Sequence, residues 1–156
     1  MSAPLEIQMS KLIEGEALEM KGRISDIAAL LDLPYPENWS SLDYHLTALR
    51  SGKECLVRGK ADTILTRPCE RCLEDLPKPI EVDFAHSYEC KEIVAIDLTP
   101  DMRDDILLGL PIVFRCKLDE NEHCLESGKN YREGLESLDD VWKAGTWQAL
   151  DQLEEK

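Results

Sequence analysis

The chain contains no run of about 18 apolar residues, so no segment can cross a bilayer as a helix. Its start, Met1-Ser2-Ala3-Pro4-Leu5-Glu6, lacks the basic residues and apolar stretch of a secretory signal. Both absences point to the cytoplasm. Thiols stay reduced there, so the six cysteines are expected as metal ligands, buried thiols or redox groups rather than structural disulfides. Basic residues are scarce: 18 Lys and Arg stand against 32 Asp and Glu, a net charge of −14. Such a surface cannot grip nucleic acid over its whole area, because phosphate contacts need Lys and Arg. It suits a basic partner, or simply solubility. Histidine is limited to His45, His86 and His123. No serine sits in a Gly-x-Ser-x-Gly turn and no glycine-rich phosphate loop occurs. No constellation supports catalysis, and the chain reads as non-enzymatic. There is no internal repeat and no long linker, so residues 1–156 are expected to form one domain with a sizeable core.

What is present is mostly alternation. Leu5, Ile7 and Met9 alternate with polar residues as a short strand does, until Glu14-Gly15-Glu16 breaks the pattern. Leu18, Met20, Gly22 and Ile24 form a second strand pattern. Ser25 can cap a short helix with Ile27, Leu30 and Leu31 on one face, ended by Pro34 and Pro36. Tyr44, Leu46 and Ala48 mark a strand closed by the Ser51-Gly52 turn. From Cys55 to Thr66 one face carries Cys55, Val57, Gly59, Ala61, Thr63 and Leu65, and the other is largely polar. Gly59 marks a bulge or a close approach. Pro68 stops regular pairing, and Pro77 and Pro79 frame the exit from the following turn. Ile80, Val82, Phe84, His86 and Tyr88 then give the cleanest period of two, predicted to pair antiparallel with the 55–66 strand.

Thr99-Pro100-Asp101 reads as a helix start, with a capping hydroxyl, a proline and an acid in the first turn. Met102, Ile106 and Leu110 share its face, and Pro111 ends it. Beyond Phe114 the chain turns polar and acidic, and 116–134 reads as an exposed, flexible loop. The tail regains a helical pattern through Leu138, Val141, Trp142, Trp147, Leu150 and Leu153.

The turn between the two best strands is Thr66-Arg67-Pro68-Cys69-Glu70-Arg71-Cys72-Leu73-Glu74, which holds the only Cys-x-x-Cys pair. Two thiolates at that spacing reach one ion from a tight turn. Cys116 and Cys124 are candidates for the other half of a closed structural zinc site, with His123 as a substitute. A second Cys-x-x-Cys would be a stronger signal, and the bland alternative is that the loop cysteines are solvated and unpaired. Cys55 and Cys90 fall in or beside strands and read as buried thiols. A redox dithiol is the enzymatic alternative, but such pairs open a helix after a parallel strand, and Leu73-Glu74-Asp75-Leu76-Pro77 allows no useful helix.

Charge is inverted around this turn. Between Arg50 and Cys72, Arg50, Lys53, Arg58, Lys60, Arg67 and Arg71 face only Glu54, Asp62 and Glu70. Arg58, Lys60, Arg67 and Arg71 are therefore candidate contacts to phosphate or to a partner. The bland alternative is a solvated strand face paired with acids. No aromatic is interleaved there, so base stacking is not supported.

Cys69-Glu70-Arg71-Cys72-Leu73-Glu74, preceded by Leu56-Val57-Arg58-Gly59-Lys60-Ala61, resembles the Cys-x-Arg-Cys-Leu motif of the YceD family of large ribosomal RNA subunit accumulation proteins. Asp97-Leu98 before an acidic helix, and Ile106-Leu107-Leu108-Gly109-Leu110-Pro111, resemble that family's acidic-leucine helix and its Leu-Pro end. Asp119-Glu120-Asn121-Glu122-His123-Cys124 resembles the His-Cys loop of some members. These matches span roughly residues 15 to 150. The resemblance implies an α+β fold with a mainly antiparallel sheet, for which a barrel-like form is open; the residue patterns above add a few short helices and a C-terminal helix. It implies a non-enzymatic factor for accumulation of large-subunit (23S) ribosomal RNA, acting in 50S biogenesis on rRNA, a pre-50S particle or a basic ribosomal protein. The chain departs from the family where many members carry a closing Cys-x-x-Cys-Gly knuckle, having only Cys116 and Cys124. A zinc-stapled protein-interaction module unrelated to ribosomes has the same sequence features.

Overall fold

A computed structural model of the chain describes residues 5–90, 94–120 and 123–125. The predicted C-terminal helix and most of the 116–134 loop lie outside these residues. The described chain forms β1 (Glu6–Gln8), a 3-10 turn (Met9–Lys11), β2 (Ala17–Ile24), α1 (Ile27–Leu31), β3 (Leu42–Ser51), β4 (Glu54–Pro68), β5 (Asp75–Glu89), β6 (Ala95–Asp97) and α2 (Thr99–Leu108). It is an α+β fold of antiparallel sheets: β1 pairs with β6, and the larger sheet runs β2-β3-β4-β5. Among the described residues that sheet has two ends, β2 and β5, and is not a closed barrel. Among the described residues no helix is long and apolar enough to cross a membrane. The residues group into two compact units, one of Met1–Arg67 with Pro77–Ile112, the other of Pro68–Leu76 with Val113–Lys156.

In the first unit, alternation becomes burial. Cys55, Val57, Ala61, Thr63 and Leu65 of β4 are buried, and Leu56, Arg58, Lys60, Asp62 and Ile64 are exposed. Ile80, Val82 and Phe84 of β5 are buried as well. Thr63 brings a polar side chain into this core, and its hydroxyl lies 3.3 Å from both the Ser40 carbonyl and the Ser40 hydroxyl. Satisfying it removes a desolvation cost of about 1–3 kcal/mol. Gly59 is required by a close approach: a Cβ there would lie 2.0 Å from the His45 carbonyl oxygen on β3. Opposite Gly22 stands Tyr44, whose ring fills the space a side chain would take.

Three local expectations change. Asp26 rather than Ser25 caps α1, its carboxylate accepting from the Ala29 N–H at 3.3 Å, and Ile27, Ala28 and Leu31 are the buried residues. Ala28 rather than Leu30 thus lies on the inner face, with Leu30 half-buried. At α2 the Thr99 hydroxyl does not cap; Asp97 accepts from the Thr99 N–H at 2.9 Å. The strand β5 begins at Asp75, so Pro77 and Pro79 lie inside it. An end strand tolerates them because one side of its backbone needs no ladder partner. The helix α2 buries Met102 and Ile106. Its Asp105 carboxylate lies 2.8 Å from His86 Nε2, and Asp101 accepts from the Tyr88 hydroxyl.

Candidate metal centre

The second unit is built on the turn between β4 and β5. Pro68 ends β4 and the chain reverses within a few residues. The Cys69 N–H donates to the Glu74 carbonyl at 2.8 Å, and the Leu73 N–H to the Cys69 carbonyl at 2.9 Å. Closing the turn this tightly places Leu73 in the left-handed region, at φ 62°. A leucine there costs roughly 1–2 kcal/mol, and the turn returns it by aiming backbone N–H groups at a sulfur. The Arg71 N–H lies 3.4 Å from Cys69 Sγ.

Residues 113–120 and 123–125 form the other limb. The Glu70 N–H donates to the Phe114 carbonyl at 2.8 Å, which ties this limb to the turn. Leu118 and Cys124 bridge antiparallel, Asp119 N–H donates to the His123 carbonyl at 2.8 Å, and Leu125 N–H to the Lys117 carbonyl at 2.9 Å. The chain after Leu118 thus doubles back as a small hairpin. That fold-back lets Cys116 and Cys124, with seven residues between them, do what a second Cys-x-x-Cys would do.

The four sulfurs of Cys69, Cys72, Cys116 and Cys124 all lie within 4.8 Å of one another, and all four residues are buried. Four sulfurs about 2.3 Å from one zinc ion stand about 3.8 Å apart at the corners of a tetrahedron. The Cys72 and Cys116 sulfurs are 3.7 Å apart. Donor set, spacing and burial all fit a tetrahedral thiolate ion such as zinc. His123 is not part of the cluster: it is half-buried, with Nδ1 3.6 Å from the Asp119 carboxylate.

The electrostatics fit the same ion. Burial pushes the Cys69 thiol up, but N–H groups of Cys72, Cys116 and Arg71 donate to its sulfur and together hold it at about 6. The Cys116 amide is 3.3 Å from that sulfur. Burial, reinforced by the neighbouring sulfurs, pushes Cys116 up to about 12 and raises Cys124 as well. One negative sulfur is prepared and its neighbours resist ionising beside it. A divalent cation held by these four cysteines would supply the charge that lets the rest lose their protons.

Over its described part the acidic loop read from the sequence is largely exposed, as expected, but Cys116 and Cys124 turn inward and are buried. Phe114 and Cys116 are buried and alternate with exposed Arg115 and Lys117. That short period of two was the available signal, hidden by the acids that follow it. Leu76 joins the four cysteines in one buried cluster. Glu70 and Arg115 form an ion pair at 3.5 Å.

The basic candidates divide. Arg58 and Lys60 project from the exposed face of β4, with the Lys60 ammonium 3.7 Å from the Asp83 carboxylate. Both partners of that pair are well over half exposed, so it contributes little. A groove of about 430 Å³ is lined by Lys60 together with Asp62, Glu81 and Asp83, so the charge around Lys60 is mixed. Arg67 stacks on the Tyr35 ring at 4.2 Å. Arg71 belongs to the cysteine turn, half-buried, its guanidinium 3.5 Å from the Cys116 carbonyl. Compared with protein-family models, with curated proteins and with solved structures, the chain matches none.

Proposed function

We propose that the chain is a non-enzymatic binding factor whose second unit is held together by one zinc ion on Cys69, Cys72, Cys116 and Cys124. The observation that carries this is the buried cluster of four sulfurs within 4.8 Å of one another. Four protein thiolates complete a zinc ion's coordination and leave no position for a substrate, so the ion is structural. The resemblance of the Cys69–Glu74 motif to the YceD family extends the reading to accumulation of large-subunit rRNA in 50S biogenesis. On this reading the acidic surface favours a basic ribosomal protein, and Arg58 and Lys60 supply the local positive charge for rRNA.

Elemental analysis of untagged protein tests the first part. One zinc per chain in the wild type and none in Cys69→Ser supports it, and metal-free wild type sinks it. Co-sedimentation with 50S precursors tests the second. Zinc-loaded protein that never travels with them leaves an interaction module unconnected with ribosomes.

A dithiol oxidoreductase has one observation in its favour, the low Cys69 thiol. Against it, Cys69 is 0% exposed, whereas an attacking sulfur must reach its substrate. Fast thiol titration of Cys69 or Cys72 in metal-free protein would restore that reading; tight zinc and sluggish thiols oppose it.

A further inference from the structure

The four-stranded sheet ends at β2, and among the described residues no strand lies beyond it. Along an end strand every second residue turns its N–H and C=O outward, which makes a template for another strand. Proteins normally blunt such an edge with proline, a bulge or charge. The opposite end strand, β5, carries Pro77 and Pro79. Strand β2 has no proline, and it pairs with β3 from Ala17–Leu49 to Ile24–Leu42 without a bulge. One face of β2 exposes Glu19, Lys21 and Arg23, and the other holds Leu18 and Met20 only half-buried. The Arg23 guanidinium is committed to the Asp43 carboxylate on β3, at 2.9 Å. Lys21 and Glu19, with side chains 63% and 65% exposed, are left to decide what can lie alongside.

We propose that β2 is a self-association edge: two copies of the chain pair antiparallel through β2, about a two-fold axis at Met20, and join their sheets into one. The charges select both the partner and the register. Matching faces meet only when the axis passes through a residue, because side chains alternate with a period of two. An axis at Glu19 sets glutamate against glutamate, one at Lys21 sets lysine against lysine, and one at Gly22 sets Lys21 against Arg23. Like charges directly opposite repel. An axis at Met20 instead sets Glu19 of each copy against Lys21 of the other, and Met20 against Met20. The lysine that would deter a foreign strand thus meets a glutamate on its own kind. The half-buried Met20 side chains cover each other, which adds apolar burial to the new backbone bonds. Two-fold symmetry makes each Glu19–Lys21 contact twice.

Sedimentation equilibrium on the untagged full chain tests this. The mass should rise with concentration from 17.7 kDa towards twice that value. Glu19→Lys and Lys21→Glu should each weaken self-association by about tenfold or more, because symmetry counts every like-charge contact twice. An equimolar mixture of the two variants should pair as tightly as the wild type, since each lysine then meets a glutamate. Both positions are exposed, so the variants should keep the wild-type thermal midpoint. Amide exchange at alternate residues of β2 should slow as the wild-type concentration rises. A single-chain mass at every concentration overturns the inference. So does a mixture that pairs no more tightly than either variant alone, which would place any contact between copies elsewhere. Neither failure alters zinc content or pre-50S association, so the functional reading above stands or falls separately.

Discussion

The amide N–H of Cys116 donates to the Sγ of Cys69 at 3.3 Å, across 47 positions of sequence. This bond joins the two limbs of the second unit before any ion is considered. With the N–H groups of Arg71 and Cys72 it prepares Cys69 as the anionic corner of the cluster. Among the described residues of the limbs, few apolar side chains other than the cysteines are buried, Leu76 and Phe114 among them. A zinc ion would therefore supply much of their cohesion, as it does in small domains that unfold without metal.

Cys124→Ser should abolish stoichiometric zinc and expose the remaining cysteines to alkylation, because three ligands cannot close the tetrahedron. His123→Ala should keep one zinc per chain, since His123 lies outside the cluster. Elemental analysis of both variants decides. Zinc lost from His123→Ala and kept in Cys124→Ser would reassign the fourth ligand.

Burial first, then the adjacent Cys90 thiol, raises the Cys55 thiol from 9.0 to about 11. The fold thus favours the protonated form. Its contribution is fully present below pH 9 and is lost as pH rises through about 11. Denaturation of wild type and Cys55→Ala at pH 8 and pH 11 should show the wild type losing more. Parallel losses would mean the thiol titrates as it does in the unfolded chain.

Phe84 is 1% exposed between the β5 backbone and the core. Phe84→Ala should cost about 3–5 kcal/mol, read as a lower urea midpoint with an unchanged slope. A loss below about 1 kcal/mol would mean that the site collapses around the deletion.

At Gly59 the obstacle is backbone, not a movable side chain. Gly59→Ala places a methyl 2.0 Å from the His45 carbonyl and should force β3 and β4 apart, costing about 3 kcal/mol or more. Amide exchange along β3 should accelerate in step. Unchanged protection there would show that the methyl is accommodated without parting the strands.

Charge reversal at Arg58 and Lys60 tests the RNA half of the functional reading. Both side chains are exposed, so Arg58→Glu with Lys60→Glu should leave the thermal midpoint nearly unchanged. Association with pre-50S particles or rRNA should weaken, and its logarithmic salt slope should shrink by about one for each phosphate left unneutralised. Unaltered association at every salt concentration would remove these residues from the interface.

The alternating runs over 18–24, 55–66 and 80–88 determined the strands, because a period of two leaves one apolar face that only a sheet can bury. The same alternation foretold which side chains of β4 would be buried, and Gly59 already signalled a close approach. Local chemistry was less decisive where neighbours compete: Ser25 and Asp26 both make good caps, and the burial of Ile27 and Ala28 selects Asp26. The extent of β5 across Pro77 and Pro79 was decided by its place at the end of the sheet, which no local pattern records. The cysteine site divides the same way. Cys69 and Cys72 were legible because their spacing closes a turn by itself. Cys116 and Cys124 could be named as partners, yet only the tertiary structure brings all four sulfurs together. The physical reason is that a ligand set drawn from two distant segments depends on the hairpin that folds Cys124 back beside Leu118, and on long-range bonds such as that from Cys116 to Cys69. Neither leaves a periodic trace in the sequence.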